Sequence, residues 1–118
     1  MNTPDDVLNL ARLEEAYGDD RAGIANLLGL ARETELRCIT ALRDGMERAD
    51  IRAVARAAHS IKGSASNIGA TRVSRVAADI EDRARLERWD DIAGFADELD
   101  ARYAELSTRI AAYAAEFA

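Results

Sequence analysis

The chain has 118 residues, of which 48% are hydrophobic and 32% charged, with a formal net charge of −6; that length suits a single domain, residues 1–118, around one core. The acidic balance argues against a nucleic-acid-binding surface, which needs a basic footprint, and the one cysteine, Cys38, cannot form an internal disulfide. The opening "MNTPDDVLNL" lacks the basic and apolar regions of a signal peptide, and no apolar run is long enough to span a membrane, so the cytoplasm is the expected compartment.

Helix signals dominate: one Pro, seven Gly and 5% aromatic residues, in a chain rich in Ala and Arg. Thr3-Pro4-Asp5-Asp6 reads as an N-cap, a first-turn proline and first-turn acids. A short helix should run from there to about Tyr17, where Gly18 ends it, and Asp19 or Asp20 can cap the next. That second helix carries Ile24, Leu27, Leu28, Ala31, Cys38, Ile39 and Leu42 at steps of three and four, with a weakened rhythm around Glu35 and a mild penalty at Gly29. "RDGMERAD", residues 43–50, reads as a break.

A third helix is expected from Asp50, with Ile51, Val54, Ala58, Ile61 and Ala65 on one face. "SNIGA", residues 66–70, interrupts it; Gly69 suits a positive-φ turn and Thr71 a new cap. Val73, Val76, Ala77, Ile80 and Ala84 mark a fourth helix. A last one begins near Trp89 or Asp90, and its Ile92, Ala96, Leu99, Tyr103, Leu106, Ile110, Tyr113 and Phe117 form a bundle seam. With no strand-period segment, the fold class is all-α: an antiparallel four-helix bundle with an additional short N-terminal helix.

"AAHSIKGSASNIGA", residues 57–70, holds the only histidine and the only lysine of the chain; the other 15 basic residues are Arg. His59 falls beside the buried stripe of its helix and should face solvent. Its neighbours one turn away, Ala55 and Gly63, are tiny, while Arg56 and Lys62 flank it with cations. Gly63 costs a helix about 0.5–1 kcal/mol relative to Ala, in a chain that uses Ala freely; close approach by a partner or a phosphoryl group would explain it. A lone surface histidine, a decorative lysine and a packing glycine are the bland alternatives, and each is common by itself.

Taken together, "AHSIKGSASNIGA" resembles the signature of histidine-containing phosphotransfer (HPt) domains: H-x-x-K-G, then a later G and small residue, matched here by His59, Lys62, Gly63, Gly69 and Ala70. The resemblance is most specific over residues 55–81, and it implies the same antiparallel four-helix core. By that resemblance His59 is the phosphoacceptor, Lys62 steadies the phosphoryl oxygens and Gly63 clears the approach. The family often places a Glu or Gln 22 residues after the histidine, hydrogen-bonded to the imidazole; here that residue is Glu81, whose alternative is an exposed acid paired with Arg85.

The resemblance implies reversible phosphoryl exchange with an aspartate on response-regulator receiver domains, fed by a sensor or hybrid histidine kinase. No cofactor is implied for this chain, since Mg²⁺ belongs to the receiver. The absence of a nucleotide-binding motif makes it a carrier rather than an enzyme acting on ATP. Ala55, Arg56, Ser60, Gly63 and Ser66 are the expected docking contacts. A di-iron bundle is excluded because no Glu-x-x-His pair or second histidine exists, and no hydrolase triad can be read. An adaptor or dimerisation bundle of the same ancestry is the remaining alternative. One apolar stripe per helix fits a monomer.

Overall fold

The computed structural model describes residues 4–116, all of whose regular structure is helical. Two short segments, α1 (Pro4–Val7) and α2 (Leu10–Tyr17), precede four long helices: α3 (Arg21–Glu47), α4 (Ile51–Asn67), α5 (Thr71–Arg85) and α6 (Ile92–Ala115). Each long helix packs on its neighbour in chain order, and α6 returns to α3. That closed circuit is the expected antiparallel four-helix bundle, 44 Å along its longest axis.

The core is built from the stripes visible in the sequence. Val54, Ala58, Ile61 and Ala65 of α4 face Val73, Val76, Ala77, Ile80 and Ala84 of α5, all buried. Ala57 joins them, and Ile51 is only half-buried. In α6 the seam is Ile92, Ala96, Leu99, Leu106, Ile110 and Tyr113. Tyr103 is half-buried because its hydroxyl reaches out to donate to the Arg32 carbonyl at 2.9 Å. Phe117 and the expected Thr3 cap lie outside the described residues.

Several boundaries differ from expectation, each for a local reason. The N-terminal helix is broken at Leu8–Asn9: the Asn9 side chain accepts from Arg12 N and caps α2, while the Asn9 N–H donates to the Gly69 carbonyl at 3.2 Å. Leu8 and Leu13 are then both buried. The proposed break at 43–50 shrinks to Arg48–Asp50, because α3 runs through "RDGME" to Glu47. Gly45 is buried there, and a Cβ on it would lie 3.2 Å from both Ala53 Cβ and Val54 Cγ2. That glycine permits a helix crossing rather than ending a helix.

Asp20 and Asp50 cap α3 and α4 through Gly23 N and Ala53 N, each contact worth about 1 kcal/mol. Thr71 does not cap α5; Ala70 holds that position without a side-chain bond. α6 starts after Trp89 and Asp90 because Asp91 takes a left-handed conformation, φ 68°.

Gly69 has the expected positive φ, 74°. A Cβ there would stand 2.9 Å from Asn9 Cβ, so the α4–α5 turn needs glycine twice over: for its backbone and for the N-terminal segment pressed against it. The N-terminal segment thus closes one end of the bundle. α4 runs toward that end and α5 away from it, and nearer the opposite end the first half of α4 and the last residues of α5 border a groove.

Candidate functional site

His59 sits in the middle of α4, one residue past the buried Ala58, so the helix turns its side chain out of the core. The side chain is 62% exposed. It is also anchored: His59 Nδ1 lies 2.8 Å from Glu81 Oε2 on the facing helix. Glu81 follows Ile80 in the core stripe of α5, and its side chain is 3% exposed. One carboxylate therefore sits at the α4–α5 seam, buried itself but reachable by side chains on the rim.

Three such side chains converge on it. Lys62 Nζ stands 2.7 Å from Oε1. The Arg85 guanidinium, one turn further along α5, donates from Nε (2.9 Å) and from a terminal nitrogen to the same Oε2 that meets His59. Burial alone would push the Glu81 carboxyl up. The hydrogen bonds from Lys62, Arg85 and His59 outweigh it and hold the group down at about 2. Glu81 is thus an ionised acceptor with no proton to give.

That settles the tautomer by elimination. An ionised carboxylate only accepts, so Nδ1 carries the proton and donates. In the neutral imidazole the lone pair is then on Nε2, the outward nitrogen. The arrangement offers an oriented, solvent-facing nucleophile with cations beside it.

His59 opens onto a groove of about 700 Å³ lined by Ile51, Arg52, Ala55, Arg56, Ser60, Ala84, Arg85 and Glu87. Its floor is short and apolar; its rim is largely arginine, on a protein of net charge −6. Of the expected contacts, Ala55, Arg56 and Ser60 line this groove. Gly63 and Ser66 lie farther along α4, outside it, and the Ser66 hydroxyl pairs with that of Ser74 at 2.7 Å. Gly63 is exposed, and a Cβ on it would meet nothing within 4 Å. No internal packing contact accounts for this glycine.

Glu81 makes both of the contacts considered for it, bonding His59 and pairing with Arg85, but it is buried rather than the exposed acid of the second reading. Lys62, expected at the phosphoryl oxygens, rests on Glu81 in the unmodified protein. Sequence reasoning passed over Arg85, Arg52 and Glu87 as parts of the site. The i+4 spacing of Glu81 and Arg85 was a usable signal, since it puts both on one face of α5. Among the described residues no group of three or more His, Cys, Asp or Glu is placed to hold a metal ion, and no helix is long and apolar enough to cross a membrane.

The family model of the Hpt domain matches residues 26–109, a span that contains His59, Lys62, Gly63 and Glu81. The chain belongs to the Hpt domain family. Among solved structures, the histidine-containing phosphotransfer protein B (HptB) of Pseudomonas aeruginosa PAO1 superposes with a TM-score of 0.81 over 92% of this chain and 93% of that one, at 22% identity. At that identity the likeness speaks for the Hpt fold. Comparison with curated proteins gave no match.

Proposed function

We propose that this Hpt domain carries a phosphoryl group on His59 Nε2 and exchanges it with the aspartate of receiver domains in a phosphorelay. One observation carries the reading: the exposed imidazole has its inner nitrogen tied to an ionised, buried carboxylate, so that in the neutral ring the lone pair is on Nε2, which faces an open groove.

The chemistry follows from those contacts. Nε2 attacks phosphorus in line as the P–O bond to the partner's aspartyl carboxylate breaks, and the carboxylate leaves with the electron pair. No proton needs to move, because Nδ1–H stays where it is. The imidazole gains positive charge as the N–P bond forms, and Glu81 stands 2.8 Å from Nδ1 to stabilise it. Lys62, 37% exposed, is on a stem long enough to turn from Glu81 toward the phosphoryl oxygens as a point charge. Gly63 leaves the next turn of α4 bare for the partner's loops.

The receiver brings the Mg²⁺ and the acidic pocket; this chain contributes position and electrostatics, which is most of what phosphoryl transfer asks of a protein. The arginine rim of the groove suits an acidic partner surface, and repeated transfer in both directions suits a transient interface.

The test is incubation of the protein with phosphorylated receiver domains. Label should pass to the wild type and not to His59→Ala. Binding of receivers without any transfer would instead favour the adaptor reading.

A further inference from the structure

Glu81 Oε2 is shared. His59 Nδ1 and the Arg85 guanidinium both end on that one oxygen, so imidazole and guanidinium lie within two hydrogen-bond lengths of each other. Arg85 is 62% exposed and also lines the groove beside His59. A side chain that only needed solvent could have it without folding back onto a buried carboxylate.

A carboxylate beside an imidazole has two effects that pull in opposite directions. It orients Nδ1–H and stabilises positive charge on the phosphorylated ring. It also favours protonation of the free ring, and an imidazolium has no lone pair with which to attack. Cations on the far side of the carboxylate decide between these effects. The charged groups facing the pair are Arg52, Arg56 and Lys62 on α4, Glu81 and Arg85 on α5, and Glu87 at the corner that follows. Only Lys62 and Arg85 touch the carboxylate itself, and when Lys62 turns to the phosphoryl oxygens, Arg85 is the cation that stays.

We propose that Arg85 is a positioning residue for the phosphoacceptor: by sharing Oε2 with His59 it keeps Glu81 in place as the acceptor for Nδ1–H and offsets part of its charge, so that the carboxylate favours protonation of the free imidazole less than it would alone. This rests on the reading of His59 as phosphoacceptor. It has a second consequence. Without Arg85 the more negative site stabilises the charged phosphoimidazole, so at alkaline pH the exchange equilibrium moves toward His59 even as transfer at acidic pH slows.

The experiment compares wild type, Arg85→Gln and Arg85→Lys by two readouts. The first follows the ring resonances of the single histidine against pH by NMR. The second follows the rate of phosphoryl transfer from a phosphorylated receiver against pH. In Arg85→Gln the ring should titrate about one pH unit higher than in wild type. The acid limb of the transfer profile should move with it, a roughly tenfold loss below that limb that recovers in alkali. Arg85→Lys, which keeps the charge, should restore most of both.

Coincident ring titrations in all three proteins would overturn the proposal. So would a uniform loss of transfer at every pH that Arg85→Lys does not relieve, which would make Arg85 a docking contact. If even the wild type accepts no phosphate, the phosphocarrier reading fails, and the ring titration still decides whether Arg85 sets the charge state of His59.

Discussion

His59 and Glu81 stand on adjacent helices with 2.8 Å between Nδ1 and Oε2, the histidine exposed and the glutamate buried. The contact divides the imidazole into an inner nitrogen that belongs to the fold and an outer one that does not. Glu81→Ala would free the ring to rotate and swap tautomers, while Glu81→Gln keeps an acceptor of the same shape but removes its charge. Transfer rates should fall in both, further in Glu81→Ala, by about 10- to 100-fold if the contact is worth the 1.5–3 kcal/mol of a charged hydrogen bond. Single-turnover transfer from a phosphorylated receiver measures this. Equal rates in wild type and Glu81→Ala would remove Glu81 from the mechanism.

Glu81 also makes stability depend on pH. Its folded-state value, about 2, lies below the ordinary 4.5, so its contribution is complete above about pH 4.5 and is lost as pH falls toward 2. The shift corresponds to about 3 kcal/mol as an upper bound, reduced by water around the half-exposed Lys62 and the exposed Arg85. Urea unfolding of Glu81→Gln across this window should show a shallower acid decline than wild type.

Glu35 works in the opposite direction. It occupies a core position of α3 between Ala31 and Ile39, is fully buried, and has one hydrogen bond, from the Ser64 hydroxyl at 3.1 Å. Burial pushes its carboxyl up to about 7, with Ser64 offsetting only part. A raised carboxyl binds its proton more tightly in the folded state, so stability falls as pH rises from about 4.5 to 7, by about 3 kcal/mol, and stays low above that. Glu35→Gln should match wild type near pH 4 and exceed it near pH 8 by most of that amount. Unfolding curves that remain parallel across this range would show that the Glu35 carboxyl does not titrate as described.

Gly63 separates stability from function. With open space around a Cβ at that position, Gly63→Ala should stabilise the helix by about 0.5–1 kcal/mol, and a bulkier Gly63→Gln should fold as well as wild type. If Gly63 lies on the proposed docking face, transfer from a receiver should slow in the alanine variant and fall steeply in the glutamine variant, because the added atoms would stand in the partner's path. Thermal melting and transfer assays on the same samples check both halves.

At Gly69 the substitution behaves otherwise. Gly69→Ala meets both a positive φ and Asn9 at 2.9 Å, so it should destabilise by more than about 1 kcal/mol, with the N-terminal segment loosened first. Hydrogen exchange at the Asn9 and Arg12 amides reports that loosening directly.

The four long helices were legible because their stripes are apolar at steps of three and four, and His59, Lys62 and Gly63 because their types and spacing are rare together. Two glycines carried opposite meanings that spacing could not separate: Gly69 ends a helix, whereas Gly45 lies within one and serves a crossing that depends on Ala53 and Val54 from another helix. Glu35 hid a core position, since a charged residue interrupts the apolar rhythm whether or not it is buried. The break at Asn9 depends on a bond to Gly69, sixty residues away. Arg85 was visible as a partner of Glu81, but its place in the site required knowing that His59 meets the same oxygen.

The most direct test of the account is to identify the labelled atom after transfer from a phosphorylated receiver. Phosphate that is labile in acid, stable in alkali and bonded to the Nε2 nitrogen of His59 is the predicted result. Phosphate on Nδ1, or equal labelling of His59→Ala, would contradict the assignment of the inner nitrogen to Glu81 and the outer one to chemistry.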